Sequence, residues 1–270
     1  MPLPQHPRTI DVRGELVFLG TGTSIGVPVV GCDCKTCSSD HPRNQRTRCG
    51  LVLGLPEGNL LIDTPTDLRA QLLREGIGII HAICYTHSHA DHIFGLDDVR
   101  AFPFYLGHDL PVYCEQFVEQ RLRKSFDYAF DPKTAHWPHG ALPKLEIRNI
   151  SEEPFSALGA KITPIRLQHG KSLVLGFRVG NIAYCTDTNG IPDQSWPLLA
   201  DLDVLILDCL RDRPHPTHFT LEEAIAIAQR VGAKRTLFTH IAHELEYEET
   251  SAALPKNVEM AYDGLKIPLT

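Results

Sequence analysis

The chain has 270 residues, of which 43% are hydrophobic and 22% are charged, and its formal net charge is −7. These proportions are typical of a globular protein with a substantial core, and they exclude a chain that is disordered throughout. No apolar run approaches the roughly 18 residues that cross a bilayer, residues 1–13 lack the apolar stretch of a secretion signal, and the negative charge gives no general attraction to nucleic acid. We therefore expect a cytoplasmic protein that binds neither membranes nor nucleic acid.

Short apolar and β-branched runs, separated by turn residues, predict many strands along the chain. The predicted strands are Glu15–Leu19, Leu51–Leu55, Asn59–Ile62, Ala82–Tyr85, Lys161–Leu167, Leu173–Val179, Asn181–Cys185, Val204–Leu207 and Thr236–Thr239. Helical periodicity predicts the helices Thr66–Glu75, Glu115–Tyr128 and Thr220–Val231. The third helix begins with Thr220 and Glu223 at the spacing of a capping box.

The order of these elements indicates a layered α/β protein. Strands joined by tight turns come first and strands that alternate with helices come later, a pattern that favours stacked sheets covered by helices. The Pro- and His-rich stretch 131–143 is interpreted as an internal loop, because metal-type residues lie on both sides of it. We expect a four-layer αββα sandwich that forms a single domain over residues 1–270.

The eight cysteines fall into two groups by their surroundings. One group lies in or beside apolar runs, where a free thiol behaves as a small buried hydrophobe; it consists of Cys49, Cys84, Cys114, Cys185 and Cys209. The other group, in a polar and Gly-flanked loop, consists of Cys32, Cys34 and Cys37. We expect no disulfides, because no secretion signal is evident and a chain of this size does not need a disulfide framework.

Four residues of metal-ligating type lie within six positions at the end of the predicted strand Ala82–Tyr85, in the segment Thr86-His-Ser-His-Ala-Asp-His92. An isolated histidine on an apolar face is usually a core residue with its hydrogen bonds satisfied. Four such residues together at a strand end have no comparable packing role, and clustered ligand types are the expected sign of a metal site. The segment therefore predicts a metal site that includes His87, His89, Asp91 and His92.

This segment resembles the T-H-x-H-x-D-H signature of the metallo-β-lactamase superfamily. The resemblance implies an αββα fold and two catalytic divalent metals, zinc or manganese. It places His87 and His89 on the first metal and Asp91, which we also count among the catalytic residues, with His92 on the second.

The same resemblance assigns ligands that lie farther along the chain. It gives His169 to the first metal, His240 to the second, and Asp187 to both as a bridge. Each of these residues follows a predicted strand, so they can converge on one sheet edge. Asp63 matches an earlier acidic position of the superfamily and is expected to orient a ligand.

Two metals at such a centre acidify a bound water and clamp a phosphoryl oxygen against the resulting hydroxide. Both effects are what the hydrolysis of a phosphodiester needs. The metals also neutralise an anionic substrate locally, so the acidic composition does not exclude one. The sequence therefore predicts a two-metal hydrolase that acts on a small phosphodiester.

A second, narrower resemblance lies in the segment Leu19-Gly-Thr-Gly-Thr-Ser-Ile-Gly-Val-Pro-Val-Val-Gly-Cys-Asp-Cys-Lys-Thr-Cys37 and in Thr239-His-Ile-Ala-His243. Both are similar to the phosphoribosyl cyclic-phosphate phosphodiesterases of the carbon–phosphorus lyase pathway. The resemblance implies a structural zinc held by Cys32, Cys34, Cys37 and His243. Three thiolates and one imidazole can complete a closed tetrahedral site that stabilises a loop.

The same family uses a histidine upstream of the last ligand as a general acid, and His218 matches that position. An imidazolium suits this task near neutral pH. His215 is the alternative proton donor. His218 could instead have a purely structural role as a neighbour of the N-terminus of the helix that begins at Thr220. We expect a cyclic phosphate or a related phosphodiester as the substrate. A homodimer is a further expectation.

Three other functions stay open at this level. Endonucleases that process the 3′ end of transfer RNA share the metal motif, but an evident basic arm is absent and the charge is negative. Thioester or lactone hydrolases use similar centres, and the oxidase branch of pyrroloquinoline quinone biosynthesis has its own Cys-rich loop.

Two further features are not assigned to the site. Arg48, Arg211 and Arg213 are interpreted as solvated surface residues. Gly20-Thr-Gly-Thr lacks the Lys-Ser/Thr of a nucleotide P-loop.

Overall fold

The computed structural model describes residues 6–134 and 136–269. Within these residues, fourteen strands form two sheets of seven. The first sheet contains β1 (Glu15–Gly20), β2 (Gly50–Leu55), β3 (Gly58–Ile62), β4 (Ala82–Cys84), β5 (Leu110–Cys114), β6 (Leu145–Asn149) and β14 (Lys266–Pro268). The second contains β7 (Phe155–Ala157), β8 (Ala160–His169), β9 (Ser172–Val179), β10 (Ile182–Cys185), β11 (Val204–Asp208), β12 (Arg235–Thr239) and β13 (Val258–Met260).

Seven α-helices are present in the described residues. They are α1 (Leu68–Glu75), α2 (Ala90–Ile93), α3 (Phe102–Leu106), α4 (Gln116–Ser125), α5 (Asp127–Phe130), α6 (Leu221–Val231) and α7 (Tyr247–Ala253). Short 3-10 turns occur at Pro42–Asn44, Leu96–Ala101, Pro132–Thr134 and Asp193–Leu199. None of the helices in these ranges is long and apolar enough to cross a membrane.

Three apolar clusters define the layers. Between the sheets, Leu51 and Ile62 of the first sheet share a cluster with Phe177 and Ile206 of the second. On the outer face of the first sheet, strand residues pack with Leu72 of α1 and with Val118 and Leu122 of α4. On the outer face of the second sheet, Leu205, Leu207 and Phe238 pack with Ala224 and Ala228 of α6. Because buried apolar area is the main favourable term in folding, these clusters hold four layers together, and the predicted αββα sandwich is confirmed.

The order of the strands brings the carboxyl ends of the parallel strands to one edge of each sheet. The first sheet runs β14-β1-β2-β3-β4-β5-β6, and β3 to β6 are parallel. The second runs β13-β12-β11-β10-β9-β8-β7, and β10 to β13 are parallel. Parallel strands bring their carboxyl ends to the same edge of a sheet, which is where open α/β sheets place their ligands.

The predicted strands are all present, with ends that move by one or two residues. Five strands were not predicted, namely β5, β6, β7, β13 and β14, because they are short, contain proline or, like β6, lie half-exposed at an edge. The single helix predicted for 115–128 is wrong in detail. It ends before Phe126, whose φ of −126° breaks the helix and whose ring becomes buried, so tertiary packing overrides the helical pattern.

Two finer predictions are confirmed. Thr220 caps α6, since its side chain accepts from the Glu223 amide at 3.2 Å and its own amide donates to the Glu223 carboxylate at 2.8 Å. Such a cap contributes about 1 kcal/mol to the helix. All eight cysteines are free, and the five predicted to be core residues are buried. Residues 131–143 lie between α5 and β6, although residue 135 is outside the described ranges.

Candidate metal centre

The side chains that follow the parallel strand ends meet at one edge of the sandwich. Two groups have their possible ligand atoms all within 4.8 Å of one another, and the two groups share Asp187. The first is His87, His89, His169 and Asp187; the second is Asp91, His92, Asp187 and His240. The structure thus brings together all seven residues that the superfamily resemblance assigned to the two catalytic metals.

In the first group, outer contacts fix which histidine nitrogen faces inward. The Nδ1–H of His87 donates to the Thr86 hydroxyl at 3.0 Å, and that of His169 donates to the Thr217 carbonyl at 2.9 Å. Their Nε2 atoms are therefore the ones left for the centre, with His87 Nε2 at 3.7 Å from Asp187. His169 Nε2 lies 3.3 Å from His89 Nδ1. Such contacts set the tautomer of a ligating imidazole.

In the second group, His92 is held from behind by Asp63. The Nδ1–H of His92 donates to the Asp63 carboxylate at 2.7 Å, and the amide and hydroxyl of Thr86 donate to the same carboxylate at 2.8 Å each. Asp63 is completely buried and does not belong to either group, as expected of an orienting residue. His92 Nε2 then lies 3.3 Å from Asp187 and 3.4 Å from Asp91.

Buried imidazole nitrogens without hydrogen-bond partners indicate that the residues of the two groups fit metal ions. The Nε2 atoms of His87 and His92 and both ring nitrogens of His240 are buried without a hydrogen-bond partner among the described residues. A buried polar atom without a partner costs about 1–3 kcal/mol, so several together need an explanation. Imidazole nitrogens and carboxylate oxygens that converge in this way are the donor set of zinc and manganese sites. Metal ions would satisfy the Nε2 atoms of the three histidines, which lie 3.3–3.7 Å from the Asp187 carboxylate.

The protonation of these groups also suits cations. Burial lowers the pKa of His87 well below its usual value and lowers that of His169, so both rings are neutral, the form that binds metal. Burial alone would raise the pKa of Asp187, but His240 and His92 lower it well below its usual range, so the carboxylate is ionised. Burial lowers the pKa of His240, but Asp187, Asp91 and Asp208 together raise it, to about 9. Bound cations would take the place of that proton.

Three residues of the centre adopt the left-handed backbone region. Asp63, Asp187 and His240 have φ angles of 62°, 52° and 59°. A residue other than glycine in this region costs about 1–3 kcal/mol and is concentrated at functional sites, although Asp and His tolerate it better than most. Each sits just after a strand, where the sharp turn points its side chain to the shared edge.

Beside the centre, His218 forms a pair with Asp208. The Nδ1–H of His218 donates to the fully buried Asp208 carboxylate at 2.7 Å. The His218 ring stacks on His240 with centroids 4.5 Å apart and planes 10° from parallel, and it lies 5.0 Å from His169. Asp208, His218 and His240 also have ligand atoms close together. Because Nδ1 is already engaged at hydrogen-bond distance, we interpret this group as an oriented imidazole rather than a third metal site.

Asp208 was not predicted as a site residue. Its position could have indicated it, because Asp208 is the last residue of an apolar strand, and Asp187 and His240 lie just after such strands. The pairing of β11 with β12 aligns Asp208 with Thr239. His215, the alternative proton donor, lies with its ring 5.1 Å from His218 and its Nδ1 3.1 Å from the Thr217 hydroxyl.

The Cys-rich loop forms a separate group with His243. Cys32, Cys34, Cys37 and His243 have their ligand atoms within 4.8 Å of one another, with His243 Nδ1 at 3.5 Å from the first thiol and 3.2 Å from the second. The Cys37 amide and the His243 ring lower the pKa of Cys34 to about 6, which favours the thiolate that a metal binds. Burial raises the pKa of Cys37 to about 11. The donor set fits a closed zinc site.

Arg46 joins this part of the chain to the segment after His240, and no sequence pattern predicted this role. Its buried guanidinium donates to the carbonyls of Ala242 at 2.9 Å and Leu245 at 2.7 Å. Burial lowers its pKa to about 10, so it remains charged near neutrality. This arginine therefore anchors the turn that carries both His240 and His243.

The three arginines interpreted as surface residues pair with carboxylates. Arg48 contacts Asp67 at 3.1 Å, while Arg211 and Arg213 contact Glu244 at 3.7 Å and 2.7 Å. Arg213 is exposed, as the surface interpretation expects, whereas the side chains of Arg48 and Arg211 are half-buried. All three arginines lie outside the two groups of the metal centre.

An αββα sandwich with His and Asp side chains gathered at its strand ends defines a class of protein, the metal-dependent hydrolases of this architecture. The chain belongs to the β-lactamase superfamily, because the family model described as the β-lactamase superfamily domain matches residues 58–241. It is also similar to the crystal structure of a new diphosphatase from the PhnP family, with a TM-score of 0.87 and 44% identity over 94% of this chain and 96% of that chain. This likeness confirms the narrower resemblance.

Two curated relatives extend the comparison. The chain is 34% identical over 254 residues to an octanoyltransferase of Porphyromonas gingivalis, with 93% of this chain and 50% of that protein covered. It is 25% identical over 312 residues to a ribonuclease Z of Geobacillus kaustophilus, with 92% and 97% covered. The chain therefore spans half the length of the Porphyromonas protein, whose name describes a protein twice as long as the match.

Proposed function

We propose that the protein is a metal-dependent hydrolase of small phosphodiesters, with a cyclic phosphate or a related phosphodiester as its substrate. The observation that carries the proposal is the pair of donor groups that share Asp187, with His218 held against them by Asp208. The similarity to a diphosphatase of the PhnP family supports the same class of chemistry.

The seven side chains of the two groups would hold two divalent metals, for which zinc and manganese are our candidates. When bound, such metals supply an activated water and neutralise the charge of a phosphoryl group. Asp187 would hold both, since its Oδ1 lies 3.3 Å from His92 and its Oδ2 lies 3.7 Å from His87. Asp63 and the Thr217 carbonyl would keep the rings of His92 and His169 in the required orientation.

His218 would protonate the leaving oxygen. Its Nδ1 is engaged by Asp208, so Nε2 is the nitrogen available to donate a proton to the departing alkoxide. Asp208 would fix the tautomer and stabilise the charged imidazolium before the proton leaves. The position of the ring beside His240 and His169 would keep the donor next to the phosphoryl group.

The Cys-rich group would hold a structural zinc. It would stabilise the loop that contains Cys32, Cys34 and Cys37 and the turn that contains His243. It would take no part in catalysis, because a closed set of four protein ligands leaves no open position. A cytoplasmic location, a homodimer and a single domain over 1–270 remain predictions of the sequence.

A turnover screen with metal-defined protein tests the proposal. The substrates are a ribose cyclic phosphate, a linear aryl phosphodiester, a precursor transfer RNA, an acyl thioester and a lactone. We expect the first two to be hydrolysed and the activity to disappear with a chelator. Hydrolysis of the thioester or lactone alone, or cleavage of the RNA alone, would replace the proposal with the corresponding alternative.

Thioester hydrolysis is the second candidate, and one observation favours it. The Porphyromonas relative is named for octanoyl transfer, and the match covers 93% of the present chain and 50% of that relative. Two-metal centres polarise carbonyl groups as well as phosphoryl groups. An octanoyl thioester in the same screen separates the two, while oxygen uptake tests the alternative of an oxidase of the pyrroloquinoline quinone type.

A further inference from the structure

Aromatic side chains next to the candidate metal centre have no role in the chemistry proposed so far. Phe94 immediately follows α2, the helix that carries Asp91 and His92, and its side chain is 42% exposed. Its ring meets Phe126 edge to face with centroids 6.0 Å apart, and Phe126 meets Tyr128 in the same way at 6.5 Å. We call Phe94, Phe126 and Tyr128 the aromatic wall.

The aromatic wall adjoins the short helix that carries two residues of the metal centre. Along this segment His89, Ala90 and Phe94 are exposed, whereas Asp91, His92 and Ile93 are buried. The Phe94 amide donates to the Ala90 carbonyl at 3.0 Å, so Phe94 lies one helical turn beyond Ala90 on the same exposed side. His89, a residue of the centre, and Phe94 therefore lie on the exposed side of one short segment of the chain.

The wall is fixed before any ligand arrives. Phe126 is only 7% exposed and belongs to the apolar cluster on the outer face of the first sheet, so it supports the rings of Phe94 and Tyr128. Tyr128 is 40% exposed, and its hydroxyl donates to Asp97, which in turn pairs with Arg100. Rings held in this way present flat apolar surfaces to solvent at little entropic cost on binding.

We infer that the aromatic wall stacks the base of a nucleotide-type substrate whose phosphate lies at the metal centre. The inference rests on the proposed function and names the substrate class for it. Aromatic side chains are the common platform for nucleobases, because every base offers a flat π face. The wall is open and made of flat rings, whereas an acyl chain is better held by an enclosing groove. The net charge of −7 favours a single nucleotide over a polynucleotide.

Binding of two matched probes tests the inference on the metal-loaded full chain. AMP and ribose 5-phosphate share a sugar and a phosphate and differ in the base. Calorimetry should show that AMP binds about 5- to 150-fold more tightly, the range that one stacked base contributes. In Phe94→Ala the two affinities should become similar because AMP weakens, and in Phe94→Trp the preference for AMP should remain.

Phe117→Ala is the matched control, since Phe117 is 43% exposed but lies on α4 outside the wall. It should leave the preference unchanged. Tyr128→Ala, which removes the other exposed ring, should reduce the preference as Phe94→Ala does. Circular dichroism of each variant establishes that it is folded.

Several results would overturn the inference. They are equal binding of AMP and ribose 5-phosphate by the unaltered protein, equal weakening of both probes in Phe94→Ala, or loss of the preference in Phe117→Ala. Octanoate that binds at the wall and is lost in Phe94→Ala would assign the surface to acyl chains instead. Failure of the proposed function is a separate result, because it shows as absent phosphodiester turnover whatever the two binding affinities are.

Discussion

The metal centre and the Cys-rich loop meet in one turn, where His240 and His243 stand three positions apart, yet they draw on the chain in opposite ways. The centre collects its side chains from strand ends in both sheets, over residues 87–240, and six of the seven are buried. The Cys-rich group takes three thiols from six consecutive positions and is half-exposed. The centre therefore depends on the complete sandwich, whereas the loop group can be lost alone.

The largest effect should come from Asp187, which both donor groups share. Asp187→Ala removes a carboxylate from each group, so we expect loss of both centre metals and a fall in activity well beyond the about 100-fold that follows loss of an orienting residue. Elemental analysis and turnover measure the two effects. Asp193→Ala, an exposed aspartate in a 3-10 turn, is the control. Two tightly bound centre metals with normal turnover in Asp187→Ala would show that this carboxylate is not shared.

Next in size is His218, whose loss should affect chemistry without affecting metal content. A general acid contributes about 10²–10⁴-fold, and it matters most when the leaving group is a poor one. His218→Ala should therefore lose activity on a ribose cyclic phosphate and keep far more on an aryl phosphodiester. Kinetics on both substrates, with metal analysis alongside, make the test. Equal losses on the two substrates would assign His218 to binding or structure.

Asp63 should give an intermediate effect, because it acts through His92. Asp63→Asn keeps the shape of the side chain but removes the charge that accepts from the His92 Nδ1–H. Loss of such a partner typically costs about 10–100-fold in metal affinity or activity. Metal titration of the apoprotein measures it. An unchanged affinity would mean that packing alone orients the His92 ring.

The smallest effect on activity should come from the Cys-rich loop. Cys34→Ser should reduce the metal content by about one ion and lower the melting temperature, because a closed thiolate site contributes to folding. Turnover at a temperature where the variant is folded should stay close to normal. Ser38→Ala, an exposed change next to the loop thiols, is the control. A metal content equal to that of the unaltered protein would contradict a zinc site here.

Much of the fold and of the donor set could be predicted from the sequence, for physical reasons. His87, His89, Asp91 and His92 are adjacent along the chain, so their density alone marks a site. The core strands were found because they are buried on both faces and consist of apolar residues, as in β2 and in β11 before its last residue, Asp208. The family resemblance then supplied His169, Asp187 and His240, which the structure brings to the same edge.

Other features depend on register and packing, which one sequence does not display. Asp208 ends a strand like many other polar residues. It meets His218 because the segment before α6 pairs with the residues that follow β11, where the Leu210 amide donates to the Phe219 carbonyl at 3.0 Å. Phe94 and Phe126 are 32 positions apart and meet because the helix predicted for 115–128 breaks at Phe126. Arg46 is buried only because the carbonyls of a distant turn surround it.

Metal analysis of the purified full chain tests the central claim most directly, because the two-metal centre and the separate loop site each predict a number. We expect about three divalent metals per chain, of which Asp187→Ala loses two and Cys34→Ser loses one. A chain that binds no more than one metal under metal-replete conditions, and that loses none when Asp187 is replaced, would contradict the account.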